Sequence, residues 1–215
     1  MARGRFITFE GIDGSGKTTI LQRIDEVLRS SGLRYLVTRE PGGTQIGDEI
    51  RQILLNAAHR QLAPSTELLL YAADRAQHIR QVIMPALQAG KHVLCDRYVD
   101  ATIAYQGYGR GHDLDWVRQL MHFVTDGLKP DLTVVLDLEV EIAQRRVRAR
   151  AGHLMPMFGD RLDAETLEFH QRVRQGYFEI AEREPDRLHL VPAAAEIERV
   201  AEMAYELVVN ALQPR

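Results

Sequence analysis

The sequence predicts an α/β fold in which a doubly wound parallel sheet of five strands is flanked by helices. Short runs of β-branched, aromatic and other apolar residues alternate with longer amphipathic segments along the chain. The fourth run, Leu132–Leu138, is almost entirely apolar, as expected for a strand buried on both faces. Strands separated by helices imply βαβ crossovers, and therefore a parallel sheet with helices on both faces.

The predicted strands are the short runs that contain the most β-forming residues. In chain order they are Phe6–Glu10, Arg34–Thr38, His92–Asp96, Leu132–Leu138 and Arg187–Val191.

Apolar residues at intervals of three and four predict the helices that separate these strands. We expect the longest to begin with Ser65 or Thr66 as its cap and to run towards Gly90, with a kink at Pro85. The other predicted helices are Lys17–Ser30, Gly47–Leu55, Ala101–Tyr105, Leu114–Thr125, Glu139–Arg150, Asp163–Glu182 and Ala195–Leu212.

Composition excludes several classes of protein. The 215 residues carry a formal net charge of −3, which argues against a protein held on nucleic acid by bulk charge. Cys95 is the only cysteine, so neither an intrachain disulfide nor a cysteine-based zinc site is possible. No apolar run approaches the ~20 residues of a membrane-spanning helix, and no signal peptide precedes the first strand. We expect residues 1–215 to form one domain of a cytoplasmic protein that binds neither nucleic acid nor membrane.

A phosphate-binding loop joins the first predicted strand to the first predicted helix. The segment fits G-x-x-x-x-G-K-[ST], and its strand–loop–helix setting is the one that this motif requires. Lys17 should reach the β- and γ-phosphates of a nucleoside triphosphate, while the Thr18 hydroxyl is a ligand for Mg²⁺. The predicted ATP-binding residues are Gly11, Ile12, Asp13, Gly14, Ser15, Gly16, Lys17, Thr18 and Thr19.

A second acidic residue is needed to hold the metal. Val93–Asp96 is an apolar run ending in a carboxylate, and Val134–Asp137 has the same pattern. Asp96 is favoured because Arg97 and Tyr98 follow it, which places functional side chains together at the carboxyl end of a strand. Asp137 stays open as the alternative.

The motifs of the chain together resemble those of the bacterial thymidylate kinases, from Phe6 to about Ile180. The residues that carry the resemblance are Phe9–Thr19, Thr38–Thr44, Tyr71–Arg75, Asp96–Tyr98, Ala104–Gly107, Pro130–Thr133 and Asp160–Leu162. The resemblance implies a P-loop NTPase fold with a short mobile lid. It also implies transfer of the ATP γ-phosphoryl group to dTMP, giving ADP and dTDP for dTTP biosynthesis, with Mg²⁺ as cofactor and a homodimer as assembly.

The same resemblance assigns residues to the acceptor, dTMP. It places Tyr71 against the pyrimidine, Tyr105 against C2′ of the sugar and Asp13 near the sugar and acceptor phosphate. Ala101 stands where serine is common. The full set of predicted substrate-binding residues is Asp13, Arg39, Arg51, Tyr71, Arg75, Arg97, Thr102, Tyr105 and Gln106.

Arginines are the expected source of charge at the transferring phosphoryl group. Gly14 and Ser15 leave the phosphate loop without an arginine, so by resemblance the lid, about residues 148–161, supplies one. Asp163 follows the lid where glutamate is usual. The predicted catalytic residues are Lys17, Arg97, Arg148, Arg150 and Arg161.

Two other functions remain to be separated from this one. Another nucleoside or deoxynucleoside monophosphate kinase would share the phosphate loop and the lid. A nucleotide-dependent switch would bind a triphosphate without transfer, but the Asn-Lys-x-Asp guanine signature of switch GTPases does not occur in the sequence.

Overall fold

The computed structural model describes residues 3–151 and 161–213. In this part of the chain five strands form one parallel sheet in the order β2–β3–β1–β4–β5. The strands are β1 (Phe6–Glu10), β2 (Tyr35–Arg39), β3 (His92–Asp96), β4 (Leu132–Asp137) and β5 (Leu188–Pro192). The predicted fold class is therefore confirmed, and each strand begins and ends within one residue of its predicted bounds.

Helices connect the strands and cover the sheet. They are α1 (Lys17–Leu28), α2 (Gln45–Leu55), α3 (Pro64–His78), α4 (Met84–Gln88), α5 (Val99–Thr102), α6 (Leu114–Thr125), α7 (Val140–Ala151), α8 (Leu167–Arg183) and α9 (Ile197–Leu212). None of the helices within the described ranges is long and apolar enough to span a bilayer.

The sheet is apolar on both faces. All five residues of β1 are buried, and alternate residues of β1 and β3 belong to two separate apolar clusters. Ile7 and Leu94 lie in the larger cluster, while Phe6 and Val93 lie in the smaller one. Because side chains alternate across a strand, this division fixes the register of β1 against β3, with Phe9 opposite Asp96.

The long helix predicted towards Gly90 is not regular. Ala63 precedes the first turn and Pro64 occupies it, so the predicted cap at Ser65 or Thr66 is wrong. A π-helical stretch, Ile79–Ile83, separates α3 from α4. Pro85 is the second residue after this stretch, and its ring nitrogen cannot donate the hydrogen bond that a regular helix would need there.

Two other helices differ from the sequence prediction by more than two residues at one end. The helix expected at Ala101–Tyr105 is α5 followed by a second π-helical stretch, Ile103–Gly109. The helix expected from Asp163 begins at Leu167, where the Thr166 hydroxyl accepts a hydrogen bond from the Phe169 amide. The segment before it, Arg161–Ala164, is a 3₁₀ turn. Residues 152–160 of the predicted lid lie outside the described residues.

Candidate active site

The central strand and its neighbour bring the site together. The carboxyl ends of β1 and β3 are adjacent in the sheet, so the loop after β1 lies beside the residues that follow β3. β3 lies on one side of β1 and β4 on the other, so the strand order changes direction at β1. Parallel α/β sheets bind ligands at the carboxyl ends of the strands at such a point.

The phosphate loop has the backbone that its glycines predict. Gly14 and Gly16 have φ angles of 83° and 99°, in the left-handed region that favours glycine. A Cβ on Gly14 would lie 2.4 Å from the Ala143 carbonyl oxygen, so the loop also packs too closely against α7 for a larger residue. Lys17 is buried, and its Nζ donates to the carbonyls of Gly11 (2.9 Å) and Ile12 (3.0 Å). Burial, followed by the charge of Arg97, lowers the pKa of Lys17.

Thr18 and Asp96 meet at the mouth of this loop. The Thr18 hydroxyl donates to Asp96 Oδ2 at 3.3 Å. The other carboxylate oxygen, Asp96 Oδ1, is buried and has no hydrogen-bond partner among the described residues. A hydroxyl beside a carboxylate with a free oxygen suits Mg²⁺, which prefers oxygen ligands. These residues therefore fit the metal that the loop implies.

Asp137, the alternative metal ligand, has a different environment. Both of its carboxylate oxygens accept hydrogen bonds from Arg174, at 2.6 Å from Nε and 3.0 Å from Nη2. The ion pair joins the end of β4 to α8. The geometry thus favours Asp96 over Asp137 for the metal.

Arg97, Asp13 and Tyr105 form a connected group beside the phosphate loop. Arg97 Nη2 donates to Asp13 Oδ1 at 2.6 Å and to the Tyr105 hydroxyl at 3.2 Å, and that hydroxyl donates to Asp13 Oδ2 at 2.9 Å. The Arg97 guanidinium also lies over the Tyr105 ring. Although burial acts to raise the pKa of Asp13, the charges of Arg97 and Lys17 hold it well below its usual range. Asp13 is therefore an anion that is hydrogen-bonded to Arg97 and interacts with the charge of Lys17.

The other predicted acceptor arginines lie in two environments. Arg75 is fully buried, and its guanidinium donates to Glu40 (2.7 Å), the Thr102 hydroxyl (2.8 Å) and the Tyr98 carbonyl (2.8 Å). Arg39 and Arg51 lie at the rim, where Arg39 is exposed. Arg75 is thus part of the packing that holds the site, whereas Arg39 has the exposure that binding a phosphate requires.

The predicted base-binding residues lie on α3, the helix of Arg75, or are hydrogen-bonded to its side chains. Tyr71 is half-buried one helical turn before it on α3. Thr102 and Gln106 are buried, and Gln106 Nε2 donates to Glu67 Oε1 at 2.7 Å. The resemblance-based set is therefore brought to one side of the site, although its contacts with a base stay predictions.

The three candidate lid arginines are not equivalent. Arg148 is exposed on α7 and lines a cavity of about 230 Å³ together with Asp13 and His170. The backbone of Arg150 belongs to α7, and its side chain lies outside the described residues. Arg161 is buried, donates to the Leu54 carbonyl at 3.2 Å and pairs with Glu67. The structure thus groups Arg161 with the acceptor side and Arg148 with the phosphate loop.

Sequence reasoning assigned no role to three buried glutamates, Glu10, Glu40 and Glu67. Glu40 joins Arg75 to His78, and Glu67 pairs with both Arg110 and Arg161. Burial, reinforced by the nearby Asp100, raises the pKa of Glu10 to about 7. For Glu10 the available signal was a charged residue that ends an otherwise apolar strand, because such a residue is rarely buried without partners.

Comparisons with known proteins decide the family. The family model described as thymidylate kinase matches residues 9–204. A thymidylate kinase from Geobacillus sp. is 43% identical over 213 residues, which cover 99% of this chain and 100% of that protein. Another, from Geotalea daltonii, is 50% identical over 196 residues, 91% of this chain and 92% of that protein. The chain belongs to the thymidylate kinase family.

The solved structures agree with this assignment. A thymidylate kinase from Ehrlichia chaffeensis is 34% identical, with a TM-score of 0.77, over 96% of this chain and 99% of that chain. The resemblance drawn from the sequence is therefore confirmed. The thymidylate kinase match also includes the phosphate loop, the β3 turn and the 3₁₀ turn after the lid, the segments that build the site described above.

Proposed function

We propose that this member of the thymidylate kinase family transfers the γ-phosphoryl group of ATP to dTMP, giving ADP and dTDP. The observation that carries the proposal is the contact between two sites: the phosphate loop, through Asp13, and the Arg97 turn at the end of β3. A donor held by the loop would present its terminal phosphate to the group of residues that includes Arg97 and Tyr105. This arrangement suits an enzyme that joins two phosphates, because both must be neutralised in one place.

In the proposed reaction, an oxygen of the dTMP phosphate forms a bond to the γ-phosphorus as the bond to the β,γ-bridging oxygen breaks. Lys17 binds the β- and γ-phosphates, and Arg97 neutralises charge on the transferring group and the acceptor phosphate. Thr18 and Asp96 would hold Mg²⁺, which neutralises charge on the donor phosphates. Asp13 keeps Arg97 in place through their hydrogen bond, and its negative charge also attracts Lys17.

The lid is proposed to complete the charge around the phosphoryl group. Arg148 supports this role through its exposure and its place on the cavity beside Asp13. Arg150 is proposed on sequence alone. Arg161 is proposed as an anchor of the lid on the acceptor side, because it is buried against Glu67. We take residues 1–215 as one domain for this purpose.

A coupled assay with ATP, Mg²⁺ and a panel of monophosphates tests the function. We expect dTMP to give the highest kcat/KM, ahead of dUMP, dCMP, UMP, AMP and GMP. A higher value for any of the others would contradict dTMP as substrate and favour the alternative, a different nucleoside monophosphate kinase. ATP hydrolysis that no acceptor accelerates would contradict transfer itself.

We also propose a homodimer. Large apolar side chains are exposed on α2, α3 and α6. These helices are neighbours, since α3 packs against both α2 and α6. Phe123 is the most exposed, at 78%. The remaining members of this set are Ile46, Ile53, Leu69 and Trp116. Light scattering should give twice the chain mass for the parent and a lower mass for Phe123→Glu, whereas an unchanged mass for the variant would place the interface elsewhere.

A cytoplasmic location is part of the proposal. The single cysteine, Cys95, is buried in β3, and the protein therefore does not depend on an oxidising compartment for its stability. Cell fractionation with an antibody to the protein tests this location, and recovery in a secreted or membrane fraction would contradict it.

A further inference from the structure

Glu10 is a fully enclosed acidic residue next to the site. It ends β1, directly before the phosphate loop, and its exposed fraction is 0%. Both carboxylate oxygens have partners: Oε1 accepts from the backbone amides of Tyr98 (2.7 Å) and Ala101 (3.3 Å), and Oε2 accepts from the Tyr177 hydroxyl (2.8 Å). Such a group contributes through the residues that it holds, because no oxygen is left to face a substrate.

Glu10 holds a backbone turn of unusual conformation. Arg97 has a φ angle of 69°, in the left-handed region that residues other than glycine rarely adopt. Such backbone persists only when its surroundings determine it strongly. The sheet provides one constraint, since the Arg97 amide donates to the Phe9 carbonyl at 2.9 Å. The next amide, that of Tyr98, lies beyond the paired part of β3 and donates to the Glu10 side chain instead.

This turn sets the direction of the Arg97 side chain. With φ at 69°, the guanidinium lies 2.6 Å from Asp13 and over the Tyr105 ring. A return of Arg97 to an ordinary negative φ would rotate its Cα–Cβ bond and move the guanidinium away from the phosphate loop. The acceptor on Glu10 is thus the second constraint that keeps Arg97 in its place.

We propose that Glu10 is a positioning residue for phosphoryl transfer, which acts by holding the left-handed turn at Arg97 through the amides of Tyr98 and Ala101. The proposal rests on the proposed function, because it assigns to Glu10 the placement of a cation at the transferring phosphate. It concerns the acceptor oxygen of Glu10 and not its charge.

Two substitutions separate the acceptor from the charge. Glu10→Gln keeps a carbonyl oxygen for the Tyr98 amide and removes the charge, so kcat should stay within about fivefold of the parent. Glu10→Leu keeps much of the volume and removes the acceptor, so kcat should fall at least 30-fold. Because the phosphate loop itself is intact, the KM for ATP should stay within threefold in both variants.

A double-mutant cycle with Arg97 distinguishes positioning from a general structural role. If Glu10 acts through Arg97, Glu10→Leu should lower kcat by less than threefold once Arg97→Ala is present. Thr8→Val is the matched control. Thr8 is also fully buried on β1, and the variant loses one hydrogen bond, the 2.8 Å contact between the Thr8 and Thr133 hydroxyls. It should lower the thermal midpoint without lowering kcat.

Several outcomes would overturn the proposal. They are an unchanged kcat in Glu10→Leu, a loss in the double variant equal to the product of the two single losses, or a raised KM for ATP as the main effect. If circular dichroism shows that Glu10→Leu does not fold, the test uses Glu10→Gln alone. A fall in kcat for Glu10→Gln as large as that for Arg97→Ala would contradict the acceptor role. If the parent phosphorylates another monophosphate and not dTMP, the proposed function fails separately, and the cycle is measured with that acceptor.

Discussion

Arg97 and Tyr105 contact each other in two ways, through a hydrogen bond of 3.2 Å to the Tyr105 hydroxyl and through the ring face, whose centroid lies 4.8 Å from the guanidinium. Tyr105 in turn donates to Asp13. Tyr105 therefore has two separable roles. Its ring is the steric wall against the sugar that the resemblance implies, and its hydroxyl is hydrogen-bonded to Arg97 and Asp13.

This separation leads to a test of sugar selection. Tyr105→Ala should reduce the preference for dTMP over its ribonucleotide counterpart, because it removes the steric wall. Tyr105→Phe keeps the ring and loses the hydroxyl, so the preference should persist while kcat falls. The ratio of kcat/KM for the two acceptors checks both variants. Equal ratios in Tyr105→Ala and the parent would show that the ring does not exclude the 2′-hydroxyl.

The phosphate loop gives a prediction about Lys17. Lys17→Ala should lower kcat about 100-fold or more, because the developing charge on the phosphoryl oxygens loses a positioned cation. The side chain bonds only backbone carbonyls of its own loop among the described residues, so the far-ultraviolet circular dichroism spectrum should stay that of the parent. A variant with the parent's kcat at saturating ATP and Mg²⁺ would contradict the assignment.

The two candidate metal ligands can be compared directly. Asp96→Asn should raise the Mg²⁺ concentration that gives half-maximal rate, because an amide is a weaker ligand than a carboxylate. Asp137→Asn should leave that concentration unchanged and lower the thermal midpoint, because Arg174 loses an ionic partner. Titration of both variants with Mg²⁺ measures the difference, and a larger shift in Asp137→Asn would reverse the assignment.

The lid arginines should differ in what their removal changes. Arg148→Ala and Arg150→Ala test whether either arginine neutralises charge on the phosphoryl group in the transition state. A positioned arginine can contribute ~10³-fold or more to kcat. At least one of them should lower kcat steeply and leave the KM for dTMP within a few-fold. Should both keep the parent's kcat, Arg97 and Lys17 alone would supply the charge.

Arg161→Ala should act first on stability. It leaves the buried Glu67 with one fewer cation, and the loss of one partner of a buried ion pair costs roughly 3–5 kcal/mol. Arg110 also pairs with Glu67, so the loss should fall at the lower end of that range. Urea unfolding measures it, with Arg199→Ala, from the exposed ion pair with Glu202, as the control.

Asp74 predicts a dependence of stability on pH. Burial, together with the nearby Glu40, raises its pKa to about 7, and Arg75 and His78 oppose the rise. Because the unfolded pKa is about 3.9, the folded state binds the proton more tightly between about pH 4 and pH 7. The free energy of unfolding should therefore fall as pH rises through this window and level off above it. Glu10, with a raised pKa of about 7, contributes in the same direction.

Thermal midpoints between pH 5 and pH 8 measure this effect. In the parent the Gly42 amide donates to Asp74 Oδ1 at 2.8 Å. Asp74→Asn keeps an oxygen that can accept this hydrogen bond and removes the ionisable carboxyl group. It should reduce the slope, whereas Asp115→Asn, at an exposed carboxylate on α6, should not. An identical slope in parent and Asp74→Asn would contradict the raised pKa.

The sequence by itself determined the features that depend on neighbouring residues. Leu114–Thr125 is a helix with the bounds that its periodicity predicts, and the phosphate loop follows from one continuous motif between a strand and a helix. The resemblance added the family, because its motifs lie in short segments. Local patterns suffice for such features, since the contacts that define them are made within a few residues.

Only the tertiary structure decided which distant residues meet. Glu10 and Tyr177 are 167 positions apart, and Arg161 and Glu67 are 94 apart, so no local pattern could pair them. Asp96 and Asp137 end strands of the same kind, and the choice between them followed from their neighbours, Thr18 for one and Arg174 for the other. The left-handed turn at Arg97 has the same origin: its backbone angle is held by acceptors on β1, which the fold alone places beside it.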